Sequence, residues 1–526
     1  MIKKRFNMII VLLMGCLFFL SFIGMAGAQG KILRMQLGYD IAHFDPARST
    51  VHIATTVYRM IYDHLLDYKP GAWPELENQL AEKYEVSPDA LTYTFFLKKG
   101  VQWHKGYGEF TSEDVKFSVE RIMDPKTKAP LRSSFASVIS KIETPDKYTV
   151  KFFLTKPDPA FLAKLAPWRM GPIVCKKAVE KFGQDYGHRP EYTVGCGPFE
   201  LVNHLPKQKI ILKRFEGYHG SRPKLDKIEM FVVKEEGTSI LSLQKGELDM
   251  IHLRVPESVP IVRKDPNLNV YSAPTATTVG FVAFNTEHPI LKDVRVRRAM
   301  VHALDRDLIV KTVGGGLGKK ACGIMAPYAY LGALNCDQLP KYPYDPKKAR
   351  ELLAEAGYPK GFKIQYVEIN LKLHKNLAPV LQAYWREVGI ETEIVLVPIS
   401  EWFATMTQAR APLIKYALGT RPPEPSIFLY PCFHSSSSKP GINTMLYKGV
   451  DGLLDRALAT TSGDERKALY AQIQRKVIED CVIIPIFFES QTLVTNKNVD
   501  LGTGVKDNMM NSPYWAFFWL EEIDIK

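Results

Sequence analysis

Residues 80–118 read LAEKYEVSPDALTYTFFLKKGVQWHKGYGEFTSEDVKFS, and the first half of this stretch has the pattern of a strand. Within 91–97 the side chains alternate, with Tyr93, Phe95 and Leu97 on one side. A period of two residues with one apolar side is typical of a strand that buries one face. We therefore predict a strand over 91–97.

The second half of the stretch begins a helix. Thr111 can cap the helix, with Asp114 closing the capping box in place of the usual glutamate. The helix is predicted to run to about Met123, where Asp124 and Pro125 stop it. Because alternation and capping explain the whole stretch without a ligand, we interpret 80–118 as structural.

Outside this stretch the chain continues as a mixture of strands and helices. Strands are predicted over 32–38, 148–154, 210–215, 279–285, 361–368, 391–397 and 483–488, with another starting at about residue 250. Helices are predicted over 55–66, 238–245, 293–303, 345–355, 377–388 and 463–478. The length of 526 residues exceeds what one core supports, so we expect a mixed α/β protein of two or three lobes.

Composition and charge argue against a nucleic-acid-binding protein. The chain has 46% hydrophobic residues and a net charge of +13, but its basic residues are scattered among acidic ones. The densest cluster, Arg295 with Arg297 and Arg298, lies beside Asp293 and favours a solvated helix face. After the N-terminal region, no stretch approaches the length needed to span a membrane.

The N-terminal 28 residues have the order of a secretory signal peptide. Basic residues at 3–5 precede an apolar run over 8–24, and Ala-Gly-Ala at 26–28 gives the small-residue cleavage pattern. We predict cleavage after Ala28 and a periplasmic location. Two alternatives stay open, an uncleaved membrane anchor and a lipoprotein acylated at Cys16.

The cysteines and the motifs tested here limit the chemistry. Six cysteines follow the signal peptide and allow 15 pairings, of which Cys322 with Cys336 is our first choice because both flank a loop with Pro327 and Gly332. No Cys-x-x-Cys, His-Glu-x-x-His or Gly-x-Ser-x-Gly motif is present, and 314–320 fails the Walker pattern. A carboxylate pair for glycoside hydrolysis stays open, so an exported hydrolase is kept as an alternative of a different class.

Several segments together resemble the solute-binding proteins of peptide- and nickel-type ABC importers. The matching pieces are LAEKYEVS (80–87), LTYTF (91–95), KGVQWH (99–104), FTSEDVKFS (110–118), GPF (197–199), FNT (284–286), VRVRRA (294–299), YDP (344–346) and ERKALY (465–470). Each piece alone is weak, but their order and spacing cover essentially the whole chain after the signal peptide.

The resemblance implies an α/β, periplasmic-binding-protein-like fold of class II, cluster C type, with two hinged lobes and an extra domain. Lobe I would comprise 29–72, 194–275 and 490–526, domain II would comprise 73–193, and lobe III would comprise 276–489. Lobes I and III would close on the solute, and the closed form would dock on a membrane permease. A monomer without catalytic activity, cofactor, metal or nucleic acid is expected.

The resemblance also implies a ligand site, mostly in lobe III. Trp402 looks like the ligand-facing tryptophan of the family, or else belongs to the core. Peptide binders carry an aspartate for the ligand's ammonium group three residues before an acidic-Pro pair. Here that pair is Glu424-Pro425 and the position holds Arg421, which reverses the charge. We therefore expect a solute with an acidic group, or one without an amine at that end, with Lys415 adding to the positive charge.

Two further residues are weaker candidates. His434 lies near a histidine position of nickel-chelate binders, although a loop histidine explains it as well. Asn285, on the presumed crossover strand, would bind ligand backbone or satisfy the hinge. A conventional di- or oligopeptide binder and a nickel-chelate binder therefore stay open as alternatives.

Overall fold

The computed structural model describes residues 30–48, 52–69, 75–130, 132–167, 171–253, 255–272, 278–313, 319–327, 330–370, 377–418, 424–488, 492–502 and 520–526. Its strands are β1 (Ile32–Leu37), β2 (Leu66–Tyr68), β3 (Leu76–Asn78), β4 (Ala81–Val86), β5 (Thr92–Leu97), β6 (Ile139–Asp146), β7 (Thr149–Leu154), β8 (Phe199–Leu205), β9 (Lys209–Arg214), β10 (Lys227–Val232), β11 (Met250–Leu253), β12 (Leu268–Ser272), β13 (Val279–Phe284), β14 (Lys319–Lys320), β15 (Phe362–Ile369), β16 (Ile390–Val397), β17 (Leu413–Leu418), β18 (Ile483–Phe488), β19 (Thr492–Asn496), β20 (Val499–Asp500) and β21 (Asp524–Ile525).

The α-helices alternate with these strands along much of the chain. They are α1 (His52–Ile61), α2 (Ser112–Met123), α3 (Arg132–Ala136), α4 (Phe161–Lys164), α5 (Lys176–Phe182), α6 (Glu236–Gln244), α7 (Val259–Arg263), α8 (Val294–His302), α9 (Arg306–Val313), α10 (Pro346–Glu355), α11 (Leu377–Glu387), α12 (Ile399–Thr407), α13 (Ser426–Phe433), α14 (Asp451–Ala459) and α15 (Gly463–Glu479). The predicted signal peptide, 1–28, lies outside the described residues.

Three larger sheets organise the described residues, and each of the three takes all its strands from one predicted part of the chain. Lobe I contains a seven-stranded sheet in the order β12-β19-β11-β1-β10-β9-β8, and domain II an antiparallel sheet in the order β4-β5-β7-β6. Lobe III contains a six-stranded sheet in the order β14-β18-β13-β17-β15-β16. The boundary residues between the three parts stay predictions.

The stretch 80–118 folds as its sequence predicts. In β5, Tyr93, Phe95 and Leu97 are buried. Thr111 caps α2, and its backbone N–H donates to the Asp114 carboxylate at 2.9 Å, which completes the capping box. The predicted strand and helix of this stretch are therefore confirmed.

Lobe I and domain II share one hydrophobic core. A single contiguous cluster of buried side chains runs from Leu33 in β1 to Phe95 in β5 and Phe199 in β8. The sheet of lobe III instead has its own core on each face, because alternate residues of β13 point to opposite sides. Lobe I and domain II therefore form one packed unit, and lobe III forms another.

Close backbone contact at 195–197 shortens the first helix relative to its prediction. The N–H of Gly197 donates to the carbonyl of Ile61 at 2.9 Å, which caps the end of α1. A Cβ at Gly195 would lie 1.9 Å from that carbonyl oxygen, so only glycine allows the approach. The apolar stripe of the helix is still buried, including Leu65 beyond its end.

A buried ion pair joins domain II to lobe I. Arg121 on α2 donates from both terminal nitrogens to the two carboxylate oxygens of Asp45, one of them at 2.9 Å. Arg48 adds a second cation at 3.5 Å, and the Asp45 side chain is fully buried. This bidentate pair fixes the orientation of the two parts because its geometry is planar on both sides.

His104 adds a neutral link across the same junction. Its Nε2 lies 2.9 Å from the carbonyl oxygen of Gly197 and donates to it. Burial lowers the pKa of His104 to about 3, partly offset by the hydrogen bond to Gly197. Below pH 6.5 His104 becomes protonated in the unfolded chain but stays neutral in the folded chain. Acidification therefore lowers the free energy of unfolding.

His104→Gln should remove this acid sensitivity. Between pH 6 and pH 4 the wild type should lose about 1.4 kcal/mol of unfolding free energy per pH unit through this group, and the variant should lose correspondingly less. Urea unfolding at several pH values measures the slope. The exposed His188→Gln serves as control, and equal slopes in wild type and His104→Gln would contradict the assignment.

The preferred cysteine pairing is confirmed. Cys322 and Cys336 form a disulfide with a Cα–Cα distance of 5.3 Å, whereas Cys175, Cys196, Cys432 and Cys481 are buried outside this disulfide. The disulfide closes a short loop in lobe III.

Cys322→Ser with Cys336→Ser should destabilise lobe III by about 3 kcal/mol, because the cross-link restricts a loop of roughly 15 residues in the unfolded chain. Urea unfolding of the variant and wild type measures the loss. Cys432→Ser, at a buried cysteine outside this disulfide, is the control for general effects of substituting a buried cysteine. An unchanged unfolding midpoint in the double variant would contradict the expectation.

The arginine cluster at 295–298 is only partly a solvated face. Arg295 is exposed and binds Asp293, as expected. Arg297, in contrast, is 6% exposed and donates to the carbonyls of Asp480 and Leu291. The predicted solvated face is therefore wrong for Arg297, which ties α8 to neighbouring loops.

Candidate functional site

The carboxyl ends of three parallel strands mark one edge of the lobe III sheet. Ile369 in β15 pairs with Val397 in β16, and β17 runs parallel to β15. Leu418, the last residue of β17, pairs with the first residue of β13, so the same edge carries the connections to lobe I. In open α/β sheets, ligands bind outside the carboxyl ends of the strands. We call this edge the site edge.

Arg421, the central candidate, comes three positions after the last residue of β17 in the sequence and lies outside the described residues. Its described neighbour Glu424 is 7% exposed. Glu424 Oε2 accepts from Arg466 Nη2 at 3.1 Å, and Glu424 Oε1 accepts from the hydroxyl of Tyr470. Both carboxylate oxygens of Glu424 are thus bonded to α15, without any need for Arg421.

Trp402 and Lys415 form a packed wall beneath the site edge. The indole Nε1 of Trp402 donates to the carbonyl of Lys415 at 3.1 Å, and its ring packs 6.0 Å from that of Tyr416. Trp402 is 9% exposed and Lys415 2% exposed. In this conformation both side chains belong to the wall, and direct contact with a ligand stays a prediction.

Asn285 lies at the opposite edge of the same sheet. It follows the last residue of β13, whereas the connection to lobe I precedes the first. Its Nδ2 donates to the carbonyl of Ala409 at 3.1 Å, and its Oδ1 accepts from the N–H of Glu287 at 3.0 Å. Asn285 therefore lies neither at the hinge nor beside the other candidates, because it follows the end of β13 that is farther from the connection to lobe I.

His434 has local partners that explain its position. Its ring stacks on Tyr430 with centroids 4.2 Å apart, and its Nδ1 lies 2.7 Å from the Ser436 hydroxyl. The Nε2 lies 3.4 Å from Asp455 Oδ1. Within the described part of the chain, no group of three His, Cys, Asp or Glu side chains could hold a metal ion. His434 thus organises the turn after α13.

A cavity of about 450 Å³ lies between domain II and lobe III. Ser426 and Ile427, just after Glu424, form part of its lobe III wall, and Lys156 and Asp158 belong to its domain II wall. Its walls come from segments nearly 300 residues apart, so no sequence pattern predicts it. Along the sequence, one hint of it is that Ile427 comes six positions after Arg421.

Domain II and lobe III also interact electrostatically near this cavity. Burial raises the pKa of Tyr93 in β5, Asp158 raises it further, and Arg466 from lobe III lowers it. Burial and the neighbouring Glu424 likewise raise the pKa of Tyr470, so that its hydroxyl stays a donor. The described interface therefore places domain II close to the α15 side of lobe III.

The family model for bacterial extracellular solute-binding proteins, family 5, matches residues 75–440. The chain belongs to this family. Its members are the solute-binding components of ABC importers, and this chain is such a component. The predicted α/β binding-protein fold with hinged lobes and an extra domain is confirmed by solved family structures with TM-scores of about 0.8.

Individual relatives cover most of the chain. The dipeptide-binding protein of Escherichia coli K12 is 31% identical over 443 residues, which is 79% of this chain and 81% of the relative. The Helicobacter pylori binding protein DppA, solved with the peptide STSA, has a TM-score of 0.80 at 27% identity, covering 94% of this chain and 98% of that protein. The binding protein MoaA from A. tumefaciens R10, solved with mannopinic acid, has the same TM-score and identity, covering 94% and 100%.

The family relationship also bears on the other expectations. The similar proteins are solute-binding proteins rather than enzymes, and the family-5 relatives are periplasmic. Across the described ranges, no helix is both long and apolar enough to cross a membrane.

Proposed function

We propose that this family-5 protein captures a small organic anion, or a peptide-like solute without a free amine at the anchored end, between lobes I and III. Signal peptide 1–28 exports the chain to the periplasm, and the monomer delivers its solute to a membrane permease without catalysis. Arg421 anchors the acidic group in place of the aspartate of peptide binders.

The observation that carries this proposal is the bonding of Glu424. A surface arginine next to a free carboxylate would simply form a local ion pair. Here both oxygens of Glu424 already accept hydrogen bonds from Arg466 and Tyr470. This arrangement supports a ligand-directed role for Arg421, since an arginine presents planar donors that match a carboxylate.

Charge repulsion argues against an ammonium anchor at that position. An ammonium group about 4 Å from an arginine is repelled by about 4 kcal/mol at an effective dielectric of 20. That the similar binding protein MoaA holds an acid, mannopinic acid, shows that an acidic solute is compatible with this fold. Trp402 and Lys415 would shape the wall behind the bound group, whereas Asn285 and His434 would support neighbouring loops.

Native mass spectrometry of the mature protein, purified without refolding, tests the proposal. A retained adduct with acidic groups is the expected result. A retained peptide with a free amine would overturn the anchor assignment. If the protein carries no adduct, thermal shifts with mannopinic acid, N-acetylated dipeptides and the matching free dipeptides decide, because only free dipeptides should fail to raise the melting temperature.

A further inference from the structure

The cavity between domain II and lobe III is lined by more polar residues than aliphatic ones. Four of them are serines, Ser134 and Ser137 from domain II and Ser426 and Ser437 from lobe III. The volume of about 450 Å³ falls within the range of small-molecule sites, about 300–1,000 Å³. The cavity is therefore large enough for a small molecule, and both of its walls carry hydroxyl groups.

The fold itself makes little use of these hydroxyl groups. Among the described residues, the side chains of Ser134, Ser137 and Ser437 form no hydrogen bond. Ser426 is 5% exposed, and its Oγ forms no hydrogen bond of suitable geometry, although the hydroxyl of Tyr470 lies nearby. A buried hydroxyl without a partner costs free energy, so Ser426 indicates that a molecule in the cavity completes its hydrogen bonding.

The charged side chains of the cavity favour a neutral occupant. Lys164 Nζ donates to Asp158 at 2.5 Å and to the carbonyl of Ser134 at 3.0 Å, so this cation and this anion neutralise each other. Lys156 is exposed and forms no ion pair with another described residue. An ion that entered the cavity would lose its hydration without gaining a buried counter-charge.

Apolar groups share the lining with the hydroxyls. Val138 and Pro157 belong to the domain II wall, and Ile427 and Leu458 belong to the lobe III wall. A serine hydroxyl both donates and accepts hydrogen bonds, as does a hydroxyl of a sugar or polyol, whose C–H groups can pack on apolar side chains. A hydrocarbon would instead leave the Ser426 hydroxyl without a partner.

The two walls of the cavity belong to separately packed units. Domain II shares its core with lobe I and is fixed to it through Asp45 and Arg121, whereas lobe III has its own cores. Rotation of lobe III about the connections to lobe I must change the distance between the walls. A molecule that bonds to serines of both walls therefore stabilises the packing of domain II against lobe III.

We propose that this cavity binds a neutral polyhydroxylated molecule, a mono- or disaccharide, between domain II and lobe III. The serine hydroxyls of both walls form its hydrogen bonds, and the apolar side chains contact its C–H groups. The inference does not depend on the proposed function, because the cavity contains none of the residues proposed to bind the transported solute.

Glucose, mannose and trehalose serve as probes with the full mature protein. Saturation-transfer NMR should detect binding of at least one of them at millimolar concentration, and isothermal titration measures its affinity. Ser134→Ala and Ser426→Ala, on opposite walls, should each weaken binding about two- to tenfold, as expected for one lost hydrogen bond. Ser137→Trp, which fills the cavity, should abolish binding. Ser239→Ala, at a buried serine of α6 in lobe I, is the control and should leave the affinity unchanged.

Three results would overturn the inference. If none of the three sugars binds, the cavity holds only solvent. If a sugar binds equally well to the wild type and to the three cavity variants, it binds elsewhere. If glucose 6-phosphate binds at least about tenfold more tightly than glucose and Lys156→Ala removes this gain, the cavity is an anion site. Arg421→Asp should leave sugar binding unchanged, so failure of the anchor assignment and failure of this inference are distinguishable. Circular dichroism and melting temperatures establish that the variants are folded.

Discussion

Arg421→Asp is expected to weaken binding of an anionic solute about 100-fold or more. The substitution removes the attraction between the guanidinium and the acidic group and replaces it by repulsion. Loss of one partner from a desolvated charge pair costs about 2–5 kcal/mol, or roughly 30- to 5000-fold in affinity. Isothermal titration with the solute released from the purified protein, or with mannopinic acid if none is retained, measures the effect.

Arg410→Asp is the matched control for this prediction. Arg410 precedes β17, whereas Arg421 follows it, so the same charge change is made at opposite ends of one strand. Arg410 is exposed and borders a separate surface pocket with His288 and Glu391. Equal losses in both variants would show a general electrostatic effect, and no loss in Arg421→Asp would contradict the anchor role.

Asp45→Ala should have the largest effect on stability. The fully buried carboxylate of Asp45 binds Arg121 in two places and lies 3.5 Å from Arg48. Removing it leaves a buried guanidinium without its counter-charge, which costs about 3–5 kcal/mol. The loss should appear as a lower urea midpoint for the unit formed by lobe I and domain II.

An exposed carboxylate with two arginine partners provides the comparison. Glu216 pairs with Arg214 and Arg222 at 3.0 Å each, but its side chain is 60% exposed. Glu216→Ala should cause a much smaller shift because water replaces the lost partner. If the two variants shift the midpoint equally, burial of the Asp45 pair contributes nothing, and the proposed rigid junction loses its main support.

The strand β5 and the helix α2 were predicted correctly because the sequence pattern of each lies within its own residues. The alternation in β5 and the capping pair of Thr111 and Asp114 depend on neighbouring residues alone. The end of α1 was misplaced because it depends on Gly195 and Gly197, which approach from 130 positions further along the chain. The burial of Arg297 likewise depends on carbonyls at 480 and 481.

The candidate site was less accessible to sequence reasoning, since it is assembled at strand ends. The resemblance singled out Arg421 and Trp402, but it could not show that Trp402 is packed against Tyr416. It also could not show that Glu424 is already bonded to α15. The cavity that Ile427 shares with domain II becomes visible only when distant segments meet.

The way lobe III is attached has a consequence for how such proteins diversify. Ser272 in β12 pairs with Thr492 in β19, and Val279 in β13 pairs with Phe488 in β18. The segment 278–488 is thus inserted between β12 and β19, which are adjacent strands of the lobe I sheet. Its first and last strands, β13 and β18, also pair with each other. A single in-frame exchange at these two points would swap the entire module that bears Arg421 between related proteins, leaving the recipient's remaining sheet pairings intact. Recombination could therefore alter solute range in one event.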